Sequence, residues 1–122
     1  MFDVLQIVPI LRIFDRARAL EFYAGFLGFL VDWEHQTEDR PPSYLQVSRA
    51  GCVLHLSEHH GDGCPGATVF LRASGLEAYH RELMSRDYPY MRPGLDEAPW
   101  GGRLMEVTDP FGNRLRFHEA PS

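Results

Sequence analysis

The sequence predicts an α+β fold built from two tandem βαβββ modules, about residues 1–61 and 62–122. Three observations lead there. Only two stretches carry helical periodicity, and β-rich apolar runs surround both. The order of these elements in the first half recurs in the second. Turn residues also recur at a near-constant offset: Asp15 aligns with Gly75 and Gly51 with Gly112, 60 and 61 residues apart, almost half of the 122 residues. A chain of this length is most simply one domain, long enough for a real core.

Module one opens with LQIVPILRIF, a β-rich run in which Pro9 suggests an edge or an unusually paired strand. Asp15 then caps a helix predicted near residues 16–27, where Leu20, Phe22, Tyr23, Phe26 and Leu27 form a broad apolar face. Gly28 is a natural stop. Strands follow at FLVDWEHQ, SYLQVSR and CVLHLSEH, separated by the polar, proline-bearing EDRPPS and by Ala50-Gly51. In module two, ATVFLRA is a strand, and Ser74 with Glu77 makes a capping box for a helix near residues 75–86. Leu76, Tyr79, Leu83 and Met84 share one face of that helix. Further strands are expected at YPYMRP, RLMEVT and NRLRFHE, the last two joined by the turn DPFGN.

Bulk properties exclude several classes. With 17 acidic against 12 basic residues the formal charge is −5, unlike the concentrated basic footprint of a nucleic-acid binder. The start, MFDVLQIVPILRIFD, has no basic region and no small-residue cleavage site, so no signal peptide is expected. No apolar run approaches the roughly 20 residues of a membrane-spanning helix. A cytoplasmic protein is expected, with Cys52 and Cys64 as free thiols rather than a pair.

Strand alternation sorts the side chains onto two faces. Leu45, Val47, Leu54, Leu56, Leu71, Met105, Val107, Leu115 and Phe117 take the helix side. The other face collects Tyr44, Gln46, His55, Arg72, Glu106 and Arg116, with Arg114 and His118 in phase with them. Such a mixture suits a polar, hydrogen-bonding ligand, although any one of these residues is as readily just solvated. Trp33 and Trp100 fit either a core or an aromatic platform. Asp32, Glu34, Glu38, Asp39, Asp96 and Glu97 lie near them in sequence, and acidic groups with aromatic planes suit a flat cation. Arg72, Arg114 and Arg116 point the other way, toward an anionic or neutral metabolite.

The element order, together with VPILRIFD…EFYAGFLGF and APWGGRLMEVTDPFGNRLRF, resembles the vicinal oxygen chelate superfamily of glyoxalases, extradiol dioxygenases and bleomycin-resistance proteins. The VP pair at Val8-Pro9, the FY…LGF helix and the PWG…DP-x-GN hairpin are most similar to the bleomycin-resistance branch. The resemblance covers nearly the whole chain. It implies modules curled into a cupped mixed sheet, and a homodimer in which the strand around Pro9 pairs across subunits. In that branch a drug is sequestered in grooves at the dimer interface, where aromatic side chains take its flat tail.

Catalytic members of the superfamily hold a divalent metal at four positions, which fall here at Val8, His55, Thr68 and Arg116. Only His55 is a credible ligand, and the Arg116 guanidinium opposes a cation. The resemblance therefore implies a metal-free binding protein with no cofactor and no catalytic residues. Its ligand is a bleomycin-type glycopeptide or a polar metabolite, held by Trp33, Tyr44, Gln46, His55, Trp100, Glu106 and Arg116. The alternative is a glyoxalase-like lyase or isomerase using His55 and Glu106 as acid and base. A separate metal site is conceivable in HLSEHHGDGC, from His55, His59, His60 and Cys64, but alternation sends His55 and Glu58 to opposite faces.

Overall fold

The computed structural model describes residues 1–35 and 41–122. Glu38, Asp39 and the start of the EDRPPS segment lie outside the described residues. The chain divides into two compact units, Met1–Pro65 and Gly66–Ser122, each with one four-stranded mixed sheet.

The first unit runs β1 (Ile10–Arg12), α1 (Arg16–Leu20), a π-helical continuation (Glu21–Phe26), β2 (Leu30–His35), β3 (Tyr44–Arg49) and β4 (Cys52–Ser57). Its sheet order is β1-β4-β3-β2, with β1 parallel to β4 and the other pairs antiparallel. Asp15 caps α1 as expected, its carboxylate accepting from the Arg18 N–H at 2.9 Å. Gly28, at φ 77°, ends the helical run where a side chain would be strained, and Phe29 N–H closes it on the Tyr23 carbonyl.

The second unit repeats the plan with β5 (Thr68–Arg72), α2 (Leu76–Met84), β6 (Asp96–Glu97), β7 (Arg103–Thr108) and β8 (Arg114–Glu119), in the order β5-β8-β7-β6. The α+β, βαβββ expectation is therefore met in both units. The registers repeat as well. Ile10 and Gln46 flank His55, while Phe70 and Glu106 flank Arg116 in the same way. The first two equivalences are offset by 60 and the third by 61, because the hairpin has one residue more between the paired Thr108 and Arg114 than between the equivalent pair Ser48 and Val53.

Three local expectations need correction. The first strand is only Ile10–Arg12, not the whole of LQIVPILRIF; Pro9 lacks an N–H, and its carbonyl accepts from His55 N–H just ahead of the strand. No strand forms at YPYMRP, where Pro89 and Pro93 each remove a ladder donor; the pairing falls later, at Asp96–Glu97. The Ser74–Glu77 capping box is also absent. Gly75 is the N-cap, at φ 68°, and the Glu119 carboxylate reaches over from β8 to accept from the Gly75 N–H at 2.9 Å and the Leu76 N–H at 3.3 Å.

Alternation builds the cores. Leu45, Val47, Leu54 and Leu56 are fully buried with Phe22, Tyr23, Phe26 and Leu27 of the first helical run. In the second unit Met105, Val107, Leu115 and Phe117 are buried along with Leu76 and Leu83 of α2, and Tyr79 meets Phe117 edge-on with centroids 5.7 Å apart. Each fully buried Leu or Phe contributes roughly 1.5–3 kcal/mol. That gain holds one face of β3, β4, β7 and β8 to apolar residues and leaves the opposite face free for chemistry.

Candidate functional site

In the first unit the outward face of the sheet carries an ordered aromatic and polar group. A β-bulge in β2 sets it up: Val31 pairs with Val47 and Trp33 with Gln46, leaving Asp32 as the extra residue. Such a bulge re-aims side chains, and here both Asp32 and Trp33 reach the face of Gln46. Asp32 accepts from the Gln46 amide at 3.0 Å and from the Ser48 hydroxyl at 3.0 Å. Those two hydrogen bonds lower its pKa.

Gln46 passes this order on. A carboxylate only accepts, so the amide nitrogen faces Asp32 and the amide oxygen faces His55 Nε2 at 3.0 Å. His55 Nε2 therefore carries the proton, and Nδ1 accepts from the Tyr44 hydroxyl at 2.7 Å. Burial lowers the His55 pKa and so favours this neutral form. Burial first, and the Asp62 carboxylate second, raise the Tyr44 pKa and keep its phenol protonated.

The rings form a platform on this network. Trp33 lies parallel to Tyr44, with centroids 6.0 Å apart and planes at 9°, and both meet His55 edge-on at 5.2 Å. Trp33 remains 43% exposed, which places it on the surface of the site rather than in the core. Glu34, by contrast, turns to the helix side and pairs with Arg16, whose Nε lies 2.9 Å away. It takes no part in an acidic rim around Trp33.

The second unit presents a lattice of different character. In register across the sheet, Thr68, Phe70 and Arg72 of β5 lie beside Arg114, Arg116 and His118 of β8. These in turn lie beside Thr108, Glu106 and Leu104 of β7. Arg116 donates from Nε to Glu106 at 3.0 Å and holds a second contact of 2.9 Å to the same oxygen. Trp100 is 59% exposed and donates from its indole nitrogen to His118 Nε2 at 3.0 Å. The PWGG turn that carries it requires glycine, because a Cβ on Gly102 would lie 2.0 Å from the Glu119 carbonyl oxygen.

Tyr44, Gln46, His55 and Trp33 are thus brought together within the first unit, and Glu106, Arg116 and Trp100 lie within the second. Three contributors lie outside the residues expected to hold the ligand, Asp32 being expected only in an acidic rim and His118 only on the same strand face. Asp32 joins through the bulge, which strict alternation does not foresee. Phe70, 48% exposed, and His118, hydrogen-bonded to Trp100, were both available from the alternation of β5 and β8.

The superfamily's metal does not fit these residues. Both His55 nitrogens are engaged, Arg116 is a cation already paired with Glu106, and neither Val8 nor Thr68 supplies a strong donor. Among the described residues, no group of three or more His, Cys, Asp or Glu side chains is placed to hold a metal ion.

Comparison with known proteins completes the picture. The sequence profile described as "Glyoxalase superfamily protein" matches residues 2–122. No curated protein sequence matches the chain. The bleomycin-binding protein of Streptomyces verticillus, solved with copper(II)-bleomycin, superposes with TM-score 0.70 at 25% identity, over 98% of this chain and 99% of that one. An antibiotic-binding protein from Streptomyces sp. CB03234 gives 0.68 at 23% identity, over 99% and 100%. A glyoxalase-related enzyme from Clostridium phytofermentans gives 0.76 at 19%, over 98% and 97%. With its repeated βαβββ units and a profile match over nearly its whole length, the chain belongs to the glyoxalase superfamily.

Proposed function

We propose that this protein binds a small molecule without transforming it, and that bleomycin-type glycopeptides are among its ligands, so that it acts as a cytoplasmic sequestering protein. One observation carries the reading. Trp33 is stacked on Tyr44, half exposed, over a hydrogen-bond network that joins Asp32, Gln46 and His55. A rigid aromatic plane with a polar edge takes a flat heteroaromatic at little entropic cost. The structural likeness to proteins solved with bleomycin supports the same ligand class.

The two units work as one domain in this reading, and the active form is a homodimer. Met1, Phe2, Val4, Leu5 and Ile7 precede β1 as an exposed apolar arm, and β1 is an edge strand of its sheet. Apolar surface beside an open edge is what association covers. Light scattering at micromolar concentration should give twice the 14.0 kDa chain mass; a stable monomer would reject this assembly.

Calorimetry with metal-free bleomycin tests the ligand. Saturable heat without product formation is expected, with Trp33→Ala weakening binding about tenfold, or about 1.4 kcal/mol. No binding, or consumption of the ligand, would reject sequestration.

A further inference from the structure

We propose that the outward face of β5, β8 and β7 binds a flat aromatic carboxylate, with Phe70 as the stacking surface and Arg72 and Arg114 as the anion partners. This rests on the reading that the outward sheet faces take ligands, and it assigns a charge class to one of them.

Phe70 occupies the middle of β5, directly across from Arg116 and two residues before Arg72 on the same face. Arg114 lies diagonally on the adjacent strand, and the His118 ring is 5.9 Å from the Phe70 ring. Neighbours directly across a sheet are about 5 Å apart and diagonal ones about 7–8 Å, within reach of an arginine side chain. With Asp96 of β6 beyond Leu104 at the far edge, β5, β8 and β7 hold three guanidinium groups and one carboxylate, Glu106, on this face of a protein whose net charge is −5.

That carboxylate is already used. Glu106 takes Arg116 through both Nε and a terminal nitrogen, whereas Arg72 and Arg114 are exposed and have no side-chain partner among the described residues. Solvated arginines alone would not require an exposed aromatic ring between them. Phe70 is 48% exposed in the middle of the edge strand β5, where a ligand ring would cover it. A guanidinium fork matches a carboxylate in geometry and charge and opposes a cation. One aromatic plane and an anion at its edge satisfy the face together.

The test is a titration of the 15N-labelled full chain with 2-naphthoate, and with the uncharged 2-naphthamide, followed by NMR. Naphthoate should shift amides of residues 68–72 and 114–118 saturably and bind at least tenfold more tightly than the amide. Arg72→Gln and Arg114→Gln should each weaken naphthoate several-fold, and the double variant more than either. Phe70→Leu, which keeps the apolar bulk but loses the ring, should weaken both probes. Equal affinity for the two probes, shifts confined to the first unit, or no effect of the arginine changes in folded protein would overturn the proposal. Bleomycin binding without naphthoate binding sinks this site alone. Naphthoate binding without bleomycin binding keeps the site and sinks drug sequestration.

Discussion

Gln46 decides which nitrogen of His55 carries the proton. Its amide oxygen lies 3.0 Å from Nε2, while its nitrogen is committed to Asp32. Long-range 1H–15N spectra should accordingly show the Nε2–H tautomer near neutral pH. Burial lowers this histidine below its ordinary 6.5, so the unfolded chain takes up the proton first. The contribution of His55 to stability is therefore complete above pH 6.5 and is lost as the pH falls from there toward the lower native value. Urea midpoints measured at about pH 7.5 and 5.5 should converge in His55→Gln relative to the parent. An unchanged pH dependence would contradict the assignment.

Glu119 caps α2 from another strand, so its loss should unfasten the start of that helix. Glu119→Ala is expected to cost about 1 kcal/mol in urea unfolding. Glu119→Gln should cost less, because an amide oxygen still accepts. Ser74→Ala should be near neutral; a larger loss there than at Glu119 would restore the local capping box.

Two glycines separate backbone strain from collision. Gly51 has φ 88° and open space where a Cβ would stand, whereas Gly102 has φ 79° and would drive a Cβ to 2.0 Å from the Glu119 carbonyl oxygen. Gly51→Ala should therefore cost only the conformational strain of about 1–2 kcal/mol. Gly102→Ala should cost clearly more, with the difference visible in thermal midpoints.

The thiols should differ in reactivity. Burial pushes the Cys52 pKa up to about 11, while Cys64 is exposed. Because the thiolate is the nucleophile, a disulfide reagent at neutral pH should label Cys64 promptly and Cys52 only on unfolding. Equal rates in the native protein would mean that β4 opens readily.

Much of this was legible in the sequence because strand alternation has a period of two. Leu45, Val47, Leu54 and Leu56 announce one face and, by exclusion, Tyr44, Gln46 and His55 announce the other. What stayed hidden depended on features that break the period or act at long range. The bulge at Asp32 adds a residue without leaving a glycine or proline to mark it. The cap on α2 comes from Glu119, 44 residues from Gly75, so no local pattern could show it. YPYMRP looked like a strand from its tyrosines, but two prolines outweighed them.

The extra residue between β7 and β8 says how such a chain can change length. Ala50 and Gly51, both with positive φ, close the tight tip of one hairpin, while the other tip is rounded by the Asp109 carboxylate accepting from the Phe111 and Asn113 N–H groups. The added residue is absorbed there, and Arg116 still faces the side on which His55 stands in the first unit. Within a strand the same insertion would turn every following side chain over. Hairpin tips are thus the places where foreign loops can be spliced in without shifting the reading frame of the two faces.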